Sequence, residues 1–332
     1  MATLKNLITD VSGLRVGHAG DAKLGSGVTV VVFDAAAIGS VDVRGGGPGT
    51  RETALLDPAQ TVSGIDAIAL SGGSAFGLDA ASGVQALMRE QGRGFQVRTA
   101  TVPIVPAAIM FDLLSGGDKN WGRYPPYREF GYEAAKNASG DFALGSVGAG
   151  LGATTATLKG GVGSASIRTP GGVTIGALAV VNAVGTVTVG DGPHFWAAPF
   201  EQNGEFGSRG PAAKLTASDL ALRAKGGPMQ NTTIAVIATD ATLTKAECNR
   251  LAVMAQDGFA RAIYPVHTPL DGDVVFAAAT GKVALTDPIY GLAELGMHAG
   301  NVMARAIARG VHEATALPFP GALPSWKDKF SK

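Results

Sequence analysis

From residue 233 to residue 310 the chain alternates twice between a short apolar run and a longer amphipathic one, and this limits the fold more than any other feature. Thr233-Ile234-Ala235-Val236-Ile237-Ala238 is β-branched or apolar almost throughout, as in a strand buried on both faces. Residues 244–259 and 286–310 carry helical spacing, with a second strand at 273–279 between them. Thr244 followed by Glu247 predicts a capping box at the first of these helices. The front half repeats the theme less regularly, with strands at 27–33 and 67–70 and a helix over 79–91. Residues 97–114 are apolar but broken by Pro103 and Pro106. Residues 116–130 read as a loop, 132–138 as a short helix, and 172–189 as two strands about a turn at 182–185. No compositional break marks a linker, so the alternation predicts one layered α/β domain over residues 1–332.

Composition narrows the partners. Lys plus Arg and Asp plus Glu both number 27, so no basic field is available to hold nucleic acid or an anionic membrane. A 46% hydrophobic, 16% charged chain argues against disorder and leans toward self-association. Cys248 is the single cysteine and reads as a buried helix residue. Residues 1–20 lack a continuous apolar stretch of the signal-peptide kind, and no run reaches 18 uninterrupted apolar residues, so a cytoplasmic location is expected.

Several motifs compete for a function. The corner Ser71-Gly72-Gly73-Ser74-Ala75-Phe76-Gly77 follows a strand and opens a helix, yet it matches neither phosphate fingerprint, and close backbone packing explains it as well. Gly160-Gly161-Val162-Gly163-Ser164 resembles a dinucleotide loop only loosely. The five histidines, His18, His194, His267, His298 and His312, show no metal spacing and read as structural or surface residues, although without a G-x-S-x-G elbow a Ser-His-Asp triad stays open. Arg44-Gly45-Gly46-Gly47-Pro48-Gly49 with Arg51-Glu52 reads as a tight turn with an ion pair, or as the wall of a substrate pocket. His267-Thr268-Pro269-Leu270-Asp271-Gly272-Asp273 puts two carboxylates two residues apart, able to share a proton or bind a cation, or to form an ordinary turn.

Thr232 draws these pieces together. Residues 197–230 are rich in glycine, proline and polar residues, a length of irregular chain that is unusual in a compact domain unless it is functional. They run through Asn231-Thr232-Thr233 straight into the apolar strand. A threonine hydroxyl is a weak nucleophile, but an N-terminal threonine carries its own base, an α-amine with a pKa of about 7.7–8.0. Attack of the Thr232 hydroxyl on the Asn231 carbonyl, an N→O acyl shift and hydrolysis of the ester would generate such a terminus.

Taken in order, Val41-Asp42-Val43-Arg44-Gly45-Gly46, Ser71-Gly72-Gly73-Ser74-Ala75-Phe76-Gly77-Leu78, Val181-Asn182-Ala183-Val184-Gly185, Asn231-Thr232-Thr233 and the 267–273 segment resemble the L-aminopeptidase/D-esterase family of self-processing N-terminal-nucleophile hydrolases. The N-T-T plus D-G-D combination is similar to its nylon-oligomer hydrolase branch; the aminopeptidase branch commonly carries a serine nucleophile and a serine–glutamate pair instead. The resemblance implies a four-layer αββα sandwich, cut between Asn231 and Thr232 into chains 1–231 and 232–332 that stay together and assemble as a homo-oligomer, often a homotetramer. It implies Thr232 as nucleophile, Lys159 near it to depress the amine pKa, Asn182 as an oxyanion donor, and Asp271 and Asp273 positioning the threonine. It implies small peptides or ω-amino-acid oligomers as substrates and no metal or organic cofactor. Phe111 falls where the nylon-oligomer branch has a tyrosine, so a substrate-facing hydroxyl is missing. Two alternatives remain at this point: an ornithine acetyltransferase-like acyl transfer on a related fold, and an uncut small-molecule-binding protein using the 72–77 corner.

Overall fold

The computed structural model describes residues 3–225 and 231–331; residues 226–230 of the irregular stretch lie outside them. Eleven strands and five helices follow along the described chain. The first half holds β1 (Leu14–Asp21), β2 (Ser26–Val43), β3 (Thr50–Arg51), β4 (Gly64–Ser71), α1 (Ala80–Glu90), β5 (Phe95–Val97), β6 (Ala100–Val102), β7 (Ala107–Ile109) and α2 (Tyr127–Lys136). Then come β8 (Val162–Arg168), β9 (Thr174–Val180), β10 (Ile234–Ala241), α3 (Lys245–Ala262), β11 (Val274–Val283), α4 (Pro288–His312) and α5 (Trp326–Phe330).

Nine strands pair in the order β3-β7-β4-β2-β11-β10-β9-β8, with β1 also on β2, while β5 and β6 form a separate hairpin. The long strand β2 makes the sheet double over. Its first part pairs with β1 and β4, the register against β4 slips between Val32 and Ala37, and its last part pairs with β11. Side-chain alternation then separates three cores, as period-2 strands require. Val28, Val30, Val32, Ala67 and Ala69 face α1 and α2. Val31, Phe33, Ile68 and Leu70 meet Leu178, Val180, Ile234, Val236 and Phe276 between the two halves of the sheet. Ala177, Ala179, Ala235, Ile237, Val275 and Ala277 face α3 and α4. Three cores between four layers make the αββα arrangement.

The strand–helix–strand–helix block after residue 233 folds as read, and Thr244 with Glu247 closes the capping box of α3. Cys248 is fully buried in α3. Two expectations fail. Helix α2 starts at Tyr127, inside the segment read as loop, because Pro126 sits at its N-cap, where a missing N–H costs nothing. Residues 172–189 hold one strand, not two: beyond Val180 the chain is buried and bonded to several separate segments, with isolated β-bridges of Thr186 to Tyr264 and Thr188 to Phe195 in place of a second strand. The segment Tyr264-Pro265 crosses so closely that a Cβ on Gly185 would lie 2.2 Å from the Pro265 carbonyl oxygen. Among the described residues no helix is long and apolar enough to cross a membrane.

Candidate active site

Four strand ends meet at one place: the end of β2 at Val43, the end of β9 at Val180, and the starts of β10 and β11 at Ile234 and Val274. Ile234 pairs with Val180 on its antiparallel side and with Val274 on its parallel side. Carrying that register two residues back sets Thr232 between Asn182 and Gly272. The Thr232 N–H donates to the Asn182 carbonyl at 2.8 Å. On the other side, a Cβ added to Gly272 would lie 2.6 Å from Thr232 Oγ1. Thr232 is buried, and its Oγ1 donates to the carbonyl oxygen of Asn231, the peptide unit directly before it. The Asn231 side chain is buried as well, and neither its Oδ1 nor its Nδ2 has a partner among the described residues.

The acidic pair flanks this point without touching the Thr232 hydroxyl directly. Asp273 Oδ1 accepts the Thr233 N–H at 2.8 Å, and its Oδ2 accepts from the His267 N–H and Nδ1. Asp271 Oδ1 accepts the Val184 N–H at 3.2 Å, and its Oδ2 accepts from the N–H and Oγ1 of Thr268. Burial, and then the neighbouring Asp273 charge, push the Asp271 carboxyl up to about 6. The 44–47 turn buttresses the loop from behind. Gly47 N–H donates to the Asp271 carbonyl at 2.7 Å, and the Arg44 and Gly45 N–H groups converge on the Asp273 carbonyl. A Cβ on Gly45 would lie 2.2 Å from the Asp273 nitrogen, so only glycine permits this approach. The ion pair of this turn is made by Arg44 with Asp42, while Arg51 bonds Ser82 and Gln85.

Lys159 is fully buried, and its Nζ donates to the carbonyls of Gly150, Ala153 and Gly160 at 2.7–2.8 Å. Desolvation pushes the amine down to about 7, while three carbonyl acceptors match the three N–H donors of the ammonium. Lys159 thus clamps the 150–154 turn, and from that turn the Thr154 N–H donates to Asn182 Oδ1 at 3.0 Å. Asn182 Oδ1 also accepts from Lys225 Nζ at 3.0 Å, and its Nδ2 donates to the Phe111 carbonyl at 3.1 Å. Phe111, Thr154 and Lys225, all bonded to the Asn182 amide, line a cavity of about 260 Å³ together with Pro320, Gly321, Ala322 and Leu323. Nucleophile candidate, amide and cavity therefore adjoin one another.

Sequence reasoning missed Lys225, an isolated lysine in irregular chain with no pattern to flag it. It also passed over Asp112, a fully buried carboxylate that accepts from Ser26 Oγ at 2.6 Å and the Gly73 N–H at 2.8 Å, with Tyr127 donating to Ser26. Burial holds the Asp112 carboxyl above the usual range. This network answers the 72–77 corner: Gly73 takes φ 83°, a Cβ there would meet the Tyr127 ring at 2.1 Å, and the Gly73 N–H already serves the chain's own carboxylate. Val162, Gly163 and Ser164 of the other glycine-rich stretch simply begin β8.

Two solved structures share the architecture. One is a β-aminopeptidase of Burkholderia sp., with TM-score 0.73, 22% identity and coverage of 99% of this chain and 92% of that one. The other is the L-aminopeptidase D-Ala-esterase/amidase of Ochrobactrum anthropi, described as a variant of the Ntn-hydrolase fold, with TM-score 0.72, 20% identity and coverage of 98% and 91%. The chain thus shares the fold of these two proteins. The family model of peptidase family S58 matches residues 6–321. The chain is 46% identical over 346 aligned positions to an uncharacterized aminopeptidase of Mycobacterium tuberculosis, covering 98% of both. It is 30% identical to a 6-aminohexanoate-oligomer endohydrolase of Kocuria sp., covering 83% of this chain and 75% of that protein. The chain belongs to peptidase family S58 and is a hydrolase of peptide or amide bonds.

Proposed function

We propose that the chain cleaves itself between Asn231 and Thr232, and that the freed Thr232 then hydrolyses amide bonds of small peptides or ω-amino-acid oligomers. The observation that carries this reading is the Thr232 hydroxyl, which is buried at the mouth of a central strand and hydrogen-bonded to the carbonyl of the peptide it would attack. In the processing step Oγ1 adds to the Asn231 carbonyl carbon, the C–N bond breaks, and an ester with a free Thr232 amine results. Water cleaves that ester and leaves a carboxylate on Asn231. In turnover the α-amine takes the Oγ1 proton as Oγ1 adds to the substrate carbonyl, and the departing amine leaves protonated. Water then resolves the acyl-Thr232 ester.

The geometry supports roles for the neighbours. Asn182 Nδ2 and Lys225 Nζ are donors gathered at the residue whose carbonyl bonds Thr232, suited to developing negative charge on a tetrahedral oxygen. Lys159 acts through the 150–154 turn, keeping Thr154 against Asn182. Asp273 holds the backbone N–H next to Thr232, and Asp271 that of Val184, two residues beyond Asn182. The cavity at Phe111, lined by both apolar and polar side chains, would receive one short segment of substrate. The processed pair is proposed to assemble further as a homotetramer, in keeping with the exposed Ile289 and Tyr290 on α4.

Intact mass under denaturing conditions with N-terminal sequencing tests the reading. Two fragments, the smaller starting Thr-Thr-Ile-Ala, are expected from the native chain, and one uncut, inactive chain from Thr232→Ala. An active Thr232→Ala protein would overturn it.

A further inference from the structure

We propose that His267 and Thr268 form a crossed pair of positioning residues, His267 fixing Asp273 and Thr268 fixing Asp271, so that the two acids hold Thr232 and Asn182 in register. This rests on the reading of Thr232 as nucleophile. The two residues make the same double contact in turn. The His267 N–H at 3.1 Å and its Nδ1 at 2.9 Å converge on Asp273 Oδ2. The Thr268 N–H at 3.1 Å and its Oγ1 at 2.9 Å converge on Asp271 Oδ2.

Each carboxylate spends its second oxygen on a different strand end. Asp273 Oδ1 takes the N–H of Thr233, next to Thr232, and Asp271 Oδ1 takes the N–H of Val184, two residues beyond Asn182. A shift of the His267–Thr268 turn would therefore reach the nucleophile and its amide neighbour through two separate bridges. A misplacement of about 1 Å at such a site can cost on the order of 100-fold in rate.

His267 reads as a structural or surface residue in the sequence, and its ring does have a packing role. Its ring stacks on Phe259 at 5.6 Å, and its Nε2 is buried with no partner among the described residues. Its backbone, however, stands at φ 54°, a left-handed conformation that a side chain rarely adopts and that surrounding contacts must hold. In that conformation its N–H and Nδ1 converge on a single carboxylate oxygen. Packing alone requires neither the strain nor the convergence.

The two parts can be separated. His267→Asn keeps a donor at the Nδ1 position and tolerates positive φ, but loses the ring stack; His267→Phe keeps the stack and loses the donor. With an aminoacyl p-nitroanilide as substrate, His267→Phe is expected to lower kcat by roughly tenfold or more with KM within about twofold, and to slow self-cleavage, while His267→Asn stays within about threefold of the native kcat. Thr268→Val should behave like the Phe variant and Thr268→Ser like the native chain, which keeps the test open if His267→Phe does not fold. Wild-type kcat in His267→Phe or Thr268→Val, or equal losses in the Asn and Phe variants, would overturn the proposal. Thr232→Ala measured in parallel separates the two ideas. If it is active, the nucleophile reading falls; if it is dead while the donor-removing variants are fully active, only the positioning pair falls.

Discussion

Gly272 stands where any side chain would collide with the Thr232 hydroxyl: an added Cβ would lie 2.6 Å from Thr232 Oγ1 and 2.7 Å from the Gly47 carbonyl oxygen. The hydroxyl occupies space left open by the missing side chain of the residue between the two acids. Gly272→Ala is expected to overpack this corner, costing about 1–3 kcal/mol, and to slow fragment formation by at least roughly tenfold. A time course of intact mass after purification measures it. Cleavage at the native rate would mean that Oγ1 reacts from elsewhere.

The acidic limb of the rate profile should carry two groups. Asp271 has its carboxyl raised to about 6, so its charge is lost as pH falls through that value. The α-amine freed at Thr232 would protonate higher, near its usual value of about 7.7–8.0. Log kcat/KM should therefore decline below about pH 8 and steepen near 6; a rate flat down to pH 5 would contradict both roles. The stability sign is opposite. Ionising a carboxyl with a raised pKa costs the folded state, so this cost is full above about 6 and vanishes below the unfolded value of about 4.

Arg305 on α4 and Glu205 are paired and almost fully buried, with Arg305 Nη2 3.0 Å from Glu205 Oε2. Burial alone would raise the Glu205 carboxyl, but the hydrogen bond and charge of Arg305 outweigh it and hold the group below its usual value. The pair spans the proposed cut, since residue 205 precedes Asn231 and residue 305 follows Thr232. Arg305→Met would leave the buried Glu205 carboxylate with only Arg309 at 3.7 Å and neutral donors from Asn6 and Gln202, for a loss of up to about 3 kcal/mol seen as a lower Tm, and Glu205→Gln in the same chain should recover part of it. The pair's contribution is present above the unfolded Glu value of about 4.3 and is lost as pH falls through the lower folded one. A Tm unchanged in Arg305→Met would show that the pair adds nothing net.

Phe111 lines the cavity, while its carbonyl, a backbone group that substitution leaves in place, anchors Asn182. Phe111→Tyr should therefore leave self-cleavage unchanged and alter KM severalfold for 6-aminohexanoate oligomers or for aminoacyl amides. Steady-state kinetics on both substrates decide it, and constants identical to the native enzyme for both would remove the ring from the substrate's path.

How much of this was readable in the sequence varies element by element. The β10–α3–β11–α4 block was legible because β-branched runs, helical spacing and a capping box act locally. Residues 181–189 were not, because their burial comes from the 264–265 segment lying across Gly185, a contact with no local signature. Proline misled at 125–126, where a breaker serves as the start of α2. The carboxylates Asp271 and Asp273 could be picked out by spacing, Thr232 by the loop-to-strand junction and then by family resemblance, and Lys159 and Asn182 by family resemblance alone. Lys225 and Asp112 could not, since each stands alone in its stretch of sequence.

By itself, then, the sequence determined the alternation of strand and helix, the glycines that allow close backbone approach, and the chemical groups available to the site. Only the tertiary structure decided that Asn182, Gly272 and Thr232 stand side by side. Hydrophobic period and turn chemistry are properties of neighbouring residues, whereas this adjacency follows from β10 pairing antiparallel with β9 and parallel with β11 in one register. That register is set by burying Ile234 and Val236 between the sheet halves and Ala235 and Ile237 under the helices, and a slip of one residue would exchange the two faces.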